Sequence, residues 1–241
     1  MDLGIKGKTA LVTAGSRGLG RATALALAGE GVRVMLSGRD ADSLERTRLE
    51  IVELGAEVEV CAGDVTEPDE PARLVAATVE RFGGIDIVVA NAGGPPPGRA
   101  IDLTDEDLES ALNANLLTSI RLVRAALPHM RVTGWGRICC ITSYTVKQAA
   151  PVLALSNTAR VGLWGWMKSA AHDLASESSG ITINMICPGP HATDRMKQLG
   201  GTGVMGDPAD FGAVAAFLCS AQAGFVNGAA IVVDGGSTLA L

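Results

Sequence analysis

Thr9-Ala10-Leu11-Val12-Thr13-Ala14-Gly15-Ser16-Arg17-Gly18-Leu19-Gly20 begins as an apolar run and ends in a glycine-rich turn, and an alanine-rich helical pattern from Arg21 to Glu30 follows at once. A strand that turns through glycines into a helix leaves unpaired backbone N–H groups and the positive helix end facing one spot, which suits a pyrophosphate. Glycine permits the sharp turn and lets a phosphate approach the backbone closely. Taken alone, such a cluster reads equally well as an ordinary strand-turn-helix. Its place at the start of an alternating strand/helix chain favours the dinucleotide-binding reading.

The alternation continues outward from that stretch. Short apolar runs at Val32–Ser37, Glu57–Ala62, Ile85–Ala90, Arg137–Thr142, Thr182–Cys187 and Ala229–Val233 give seven expected strands with the first. Helical patterns separate them at about Ala41–Leu54, Glu67–Phe82, Thr104–Arg131, Pro151–Ser178 and Asp207–Ala221. Continuous rather than alternating apolar strands, joined through helices, imply a parallel sheet covered on both faces. With right-handed crossovers this is an α/β, Rossmann-type, doubly wound sheet of seven parallel strands flanked by helices. No linker or repeat divides the chain, so residues 1–241 read as one domain with a short substrate loop at about 190–206. Ligands bind such sheets at the carboxyl ends of the strands. Six loops rich in glycine and small polar residues meet there, at Thr13–Gly18, Gly38-Arg39, Asp64-Val65, Asn91–Gly93, Ser143-Tyr144 and Pro188-Gly189.

Composition narrows the function. Apolar residues make up 47% and charged residues 19% of the 241, enough for a full core and too apolar for disorder. A net charge of −6 argues against nucleic-acid or anionic-membrane partners. No apolar run approaches the roughly 18 residues of a membrane span, and the N-terminus lacks a signal-peptide pattern. The scattered Cys61, Cys139, Cys140, Cys187 and Cys219 have no CxxC spacing. They read as reduced core thiols of a cytoplasmic protein, and no metal site is expected.

Thr13 to Gly20, Asp64-Val65, Asn91-Ala92-Gly93, Asn115, Ser143, Asn184 before Pro188-Gly189, Thr193 and the closing Val233-Asp234-Gly235-Gly236 together resemble the short-chain dehydrogenase/reductase family in its one-domain form, in particular its 3-oxoacyl-(acyl carrier protein) reductase-like members. The resemblance implies a nicotinamide cofactor. It sets Thr13, Gly15, Ser16, Arg17, Gly18, Leu19 and Gly20 along the phosphates and ribose, Asp64 and Val65 at the adenine, and Asn91, Ala92 and Gly93 along the nicotinamide ribose. Pro188, Gly189 and Thr193 would hold the carboxamide and pyrophosphate side. It also implies Asn115 and Ser143 as water-holding and substrate-polarising residues, a small carbonyl or alcohol substrate, and a homodimer or homotetramer. Ala149, Ala150, Val152, Leu153, Leu155, Trp164 and Trp166 suit such an interface or the monomer's own core, and Ser237 to Leu241 suggests a second contact.

Cofactor choice follows from charge. An NAD-specific site places a carboxylate at the end of the second strand. Here Gly38 and Arg39 stand there, with Arg17 in the phosphate loop, and two guanidiniums suit a 2′-phosphate. NADP(H) is expected over NAD(H), although Asp40 complicates the picture and Arg39 also reads as a solvated helix start.

The departures concern catalysis. Ala14 replaces the first glycine of the family's turn, and Ala90 replaces one of its paired asparagines. Thirteen residues after Ser143, where the family keeps its acid/base tyrosine, stands Ser156, and the lysine four residues later is Arg160. A serine hydroxyl is a far weaker acid than a phenol, and a guanidinium does not give up its proton. Losing the general acid costs roughly 10²–10⁴ in rate. Tyr144, Lys147 and His191 are alternative proton donors at the same rim, each also readable as a solvated loop residue. His129 and His172 lie on helices away from it. Two readings follow: an oxidoreductase with an altered acid/base pair, or a dinucleotide-binding protein without turnover. The stretch from Pro190 to Gly206, with Gly200-Gly201-Thr202-Gly203, reads as an open, mobile substrate loop.

Overall fold

The computed structural model describes every residue except Leu199, Gly201, Thr202 and Leu241. Strands β1 (Thr9–Val12), β2 (Arg33–Gly38), β3 (Val58–Ala62), β4 (Ile87–Ala90), β5 (Gly136–Ile141), β6 (Ile181–Pro188) and β7 (Ala230–Val233) form one seven-stranded sheet in the order β3-β2-β1-β4-β5-β6-β7. Every pairing is parallel. The helices are α1 (Gly18–Gly29), α2 (Ala41–Glu53), α3 (Glu70–Phe82), α4 (Asp105–Leu112), α5 (Thr118–Thr133), α6 (Ala154–Ser176), α7 (Asp194–Gln198) and α8 (Pro208–Leu218).

The continuous apolar strands explain the layering. Side chains alternate across a strand, so Leu11 enters the core on one face while Ala10 and Val12 enter the other. Leu11 stands beside Met35 of β2 and Val88 of β4, and that face is covered by Leu74 of α3, Leu122 of α5 and Leu163 of α6. The opposite face packs Val34, Leu36 and Val89 against Leu27 of α1, Leu44 of α2 and Phe211 of α8. A strand buried on both sides cannot be alternately polar, which is why these read as unbroken apolar runs.

Two features differ from expectation. The single helix expected over Thr104–Arg131 is broken by a π-type turn at Asn113–Leu117, where the Thr118 N–H bonds to the Asn113 carbonyl five residues back. The causes are tertiary. Asn113 Nδ2 donates to the Thr66 carbonyl (2.9 Å), and Thr118 Oγ1 donates to Val65 O (3.2 Å), so the loop after β3 holds the turn open. Part of the segment after β6, expected as a loop, is helical. Met196 N donates to Thr193 Oγ1 (3.3 Å), starting the short helix α7. Gly201 and Thr202, on which the expected mobility partly rests, lie outside the described residues. No described helix is long and apolar enough to cross a membrane.

Candidate active site

The expected residues collect at the carboxyl edge of the sheet, beginning with the turn after β1. Asn91 N donates to Thr13 Oγ1 (2.9 Å), Thr13 Oγ1 donates to Asn91 O (2.7 Å), and Asn91 Nδ2 reaches Ala14 O (3.4 Å), tying the β1 and β4 loops together. Gly20 is required by that closeness, since a Cβ there would meet Ala14 O at 2.3 Å and Asn91 Nδ2 at 2.7 Å. Ala14 takes a left-handed φ of +46° at the bend. Ser16 sits against Gly38 at the end of β2, and its carbonyl accepts from Thr47 Oγ1 (3.1 Å). Leu19 packs at the edge of the core.

The residues fit a bound dinucleotide phosphate. Arg17 at the N-cap of α1 supplies no capping side chain, and no acidic residue occupies the first turn, so the helix's leading N–H groups are offered to an anion. Thr193 stands over the same spot, 3.7 Å from where a Cβ on Gly18 would lie. Pro188 ends β6 beside Val233 of β7, and Gly189 is pressed against Asp234 so closely that a Cβ would come within 2.4 Å of it. Asn184 is buried and structural, donating to Val226 O (2.7 Å) and accepting from Ala229 N (3.0 Å). Gly93 has nothing within 4 Å of its Cβ position, and Ala92 is half-buried.

Charge at the outer end of the groove is divided. Asp40 is engaged as the N-cap of α2, accepting from Ser43 N (3.2 Å) and Ser43 Oγ (2.7 Å), and these bonds hold its carboxyl below the ordinary value. It lies 3.8 Å from Arg17, and Arg39 lies 3.7 Å from Asp64. Both guanidiniums are mostly exposed, at 66% and 77%. Burial pulls the Asp64 carboxyl upward, but its two bonds from Thr66 and the nearby Arg39 charge outweigh it and hold the group low. Val65 is buried, its carbonyl bonded by Thr118.

The chemical end is a hydrogen-bonded cluster. Arg160, on α6 and 7% exposed, donates from Nε to Ser156 Oγ (3.1 Å), from Nη1 to Ile141 O (3.2 Å) and from Nη2 to Asn115 Oδ1 (3.0 Å). Ser156 and Arg160 are one helical turn apart on the same face, and Asn115 is delivered by the π-type turn. All three acceptors are uncharged, and burial pushes the guanidinium down to about 10. Asn115 Nδ2 is buried without a partner among the described residues. Ser143, at the end of β5, accepts from Thr145 N (3.2 Å).

Of the three alternative donors, Lys147 and His191 are engaged with other partners. Lys147 Nζ lies over the Trp164 ring, 4.3 Å from its centroid. His191 is a buried ring rather than a residue at the pocket mouth, with Nδ1 3.0 Å from Gly189 O and its edge on Phe211. Among the described residues, no side-chain hydrogen bond joins Tyr144, Lys147 or His191 to Ser143, Ser156 or Arg160. Leu155 lies in the core, whereas Val152 is exposed. Cys139, Cys140, Cys187 and Cys219 are buried free thiols and Cys61 is half-buried; no described cluster could hold a metal.

Sequence reasoning passed over Asn113 and Arg195. Asn113 carried a signal, a second amide two residues before Asn115 in an apolar helix. Arg195 carried none: only the fold brings its Nη2 to Pro95 O (3.0 Å) and Gly94 O (3.5 Å) across the groove.

The profile of the family described as Enoyl-(Acyl carrier protein) reductase matches residues 13–238. Dehydrogenase/reductase SDR family member 4 of Sus scrofa is 31% identical over 97% of this chain and 88% of its own. The 3-oxoacyl-[acyl-carrier-protein] reductase of Vibrio cholerae is 31% identical, over 97% and 98% respectively. The solved structure of L-sorbose reductase from Gluconobacter frateurii, complexed with NADPH and L-sorbose, superimposes with a TM-score of 0.92 at 29% identity, covering 100% of each chain. With the profile matched over residues 13–238 and these relatives alike along nearly its whole length, the chain belongs to the short-chain dehydrogenase/reductase family of oxidoreductases.

Proposed function

We propose that the chain is an NADP(H)-preferring oxidoreductase acting on a small carbonyl or alcohol, in which Ser156 and Arg160 take the acid/base positions. The observation that carries this reading is the bonded cluster of Asn115, Ser156 and Arg160, at the same carboxyl edge of the sheet as the open end of α1. A bound nicotinamide would supply the hydride. Ser156 Oγ accepts from Arg160 Nε, which leaves its own hydrogen available to a substrate oxygen or a relaying water. Arg160 adds positive charge next to that oxygen and has N–H groups left for a ribose hydroxyl. Ser143 and Asn115 orient the substrate. Turnover without a phenol is slower by roughly 10²–10⁴, while positioning of the reactants is kept.

Arg17 and Arg39 support the NADP(H) preference, because Asp40 is engaged in its own helix cap. The exposed Val152 and Val161 support self-association as a homodimer or homotetramer, and a cytoplasmic setting accords with five unpaired thiols.

The test is NADPH oxidation with ketones and 3-oxoacyl thioesters, for the native chain and for Ser156→Tyr/Arg160→Lys. Slow native turnover that rises in the double variant supports the reading. Turnover by the double variant alone makes the native chain a binding protein. No affinity for either nicotinamide coenzyme removes the reading altogether.

A further inference from the structure

Near α7, at the carboxyl edge of the sheet, stand three cations that have no acidic partner among the described residues. Arg160 is buried with three neutral acceptors, Arg195 of α7 reaches only the carbonyls of Gly94 and Pro95, and Lys147 rests on Trp164. Among the described residues none of the three makes an ion pair, although the chain as a whole is acidic by six charges. Asp194, the neighbour of Arg195, pairs with Lys197 instead (3.3 Å). All three stand at the carboxyl edge of the sheet: Arg160 bonds to Ile141 O at the end of β5, Lys147 lies in the loop after that strand against Trp164 of α6, and Arg195 reaches the loop after β4. An independent observation points the same way. Asn115 Oδ1 is fixed by Arg160, so its Nδ2 is a buried donor with no acceptor among the described residues. A pocket rich in donors and positive charge, with every fixed acceptor neutral, is completed by an anion.

We propose that this edge near α7 is a carboxylate subsite: the carbonyl compound handled here also carries a carboxylate, received by Arg195 while Lys147 and Arg160 add their charge. A guanidinium matches a carboxylate in two parallel bonds, and the carbonyl contacts of Arg195 are readily exchanged because that side chain is exposed. The subsite is distinct from the outer groove, where Arg17 and Arg39 stand at the far end of β2. The substrate class rests on the oxidoreductase reading above, whereas anion capture by Arg195 does not.

Two measurements test this. The first is calorimetric titration of the chain without coenzyme, using levulinate and methyl levulinate. The expected result is binding of the acid at least about tenfold tighter than the ester, the size of one charge-assisted pair, with that ratio collapsing in Arg195→Gln. Equal binding of acid and ester overturns the proposal even if coenzyme binding fails. The second is NADPH oxidation with 2-oxopentanoate, levulinate and their methyl esters. A kcat/KM ratio favouring acid over ester, narrowed in Arg195→Gln, supports the substrate class. A ratio near one with normal NADPH affinity overturns it, as does a weakened NADPH affinity in Arg195→Gln without any change in the ratio, which would assign Arg195 to the coenzyme. Absence of NADPH binding in the native chain sinks the oxidoreductase reading and leaves the first measurement to decide the subsite.

Discussion

At the scale of single residues, the nucleotide turn carries a measurable strain. Ala14 holds a φ of +46°, where a Cβ costs roughly 1–2 kcal/mol. Ala14→Gly relieves that cost and gives back about half of it through the freer unfolded chain. The variant should be more stable by about 0.5–1 kcal/mol, read as a higher urea midpoint at unchanged slope. Asp40 offers a second test, through pH. Its carboxyl is held low chiefly by the Ser43 hydroxyl, with the Ser43 backbone N–H and Arg17 adding to it. A depressed carboxylate stabilises the fold above its unfolded value near 4 and loses that contribution as pH falls through its folded value. The Tm of Asp40→Ala should therefore lie below that of the native chain at pH 7, and the gap should narrow as pH falls below the unfolded value and through the lowered folded one. A gap that persists in acid would mean that the cap does not depend on charge.

The π-type turn is where one element makes the site. A continuous α-helix through Asn113–Leu117 would carry Asn115 at a different angle; the extra residue in the turn brings its Oδ1 to Arg160. Asn115→Ala leaves a buried guanidinium N–H without its acceptor, an expected loss of about 1–3 kcal/mol in urea unfolding. A loss below about 0.5 kcal/mol would mean that Arg160 is not held there. This element also marks the limit of what could be read from the chain. The seven strands, their buried character and the loops at their carboxyl ends were legible, because continuous apolar runs and glycine turns are local signals. The glycine turn and the Ser156–Arg160 spacing were legible for the same reason. The break at Asn113 was not, since it is enforced by Thr66 and Val65 nearly fifty residues earlier in the sequence. The helical start at Asp194 and the burial of His191 against Phe211 likewise depend on partners distant in sequence.

Across the whole molecule, the two edges of the sheet do different work. Arg137, at the amino end of β5, is buried and donates to Ser220 O (2.9 Å), Gly136 O (2.8 Å) and Gly180 O (3.0 Å), while its guanidinium stacks 4.5 Å over Trp135. It joins the sheet to the ends of α8 and the turn before β6. Arg17 and Arg39, at the carboxyl edge, are exposed and make only long pairs with Asp40 and Asp64, which add little to stability. The two sets should therefore separate cleanly in experiment. Arg137→Ala strands the buried carbonyls of Ser220 and Gly136 and opens a void, an expected loss of about 3 kcal/mol, with coenzyme affinity kept within about twofold at temperatures where the chain stays folded. Arg17→Ala/Arg39→Ala should leave stability within about 0.5 kcal/mol. The same double variant should weaken NADPH binding by about tenfold to a hundredfold while NADH binding changes little. Raising the salt concentration should shrink the proposed preference for NADPH, because both guanidiniums are open to solvent. Equal losses for NADPH and NADH in the double variant would show that the two arginines do not read the 2′-phosphate, and the difference between the coenzymes would have to arise elsewhere along the groove.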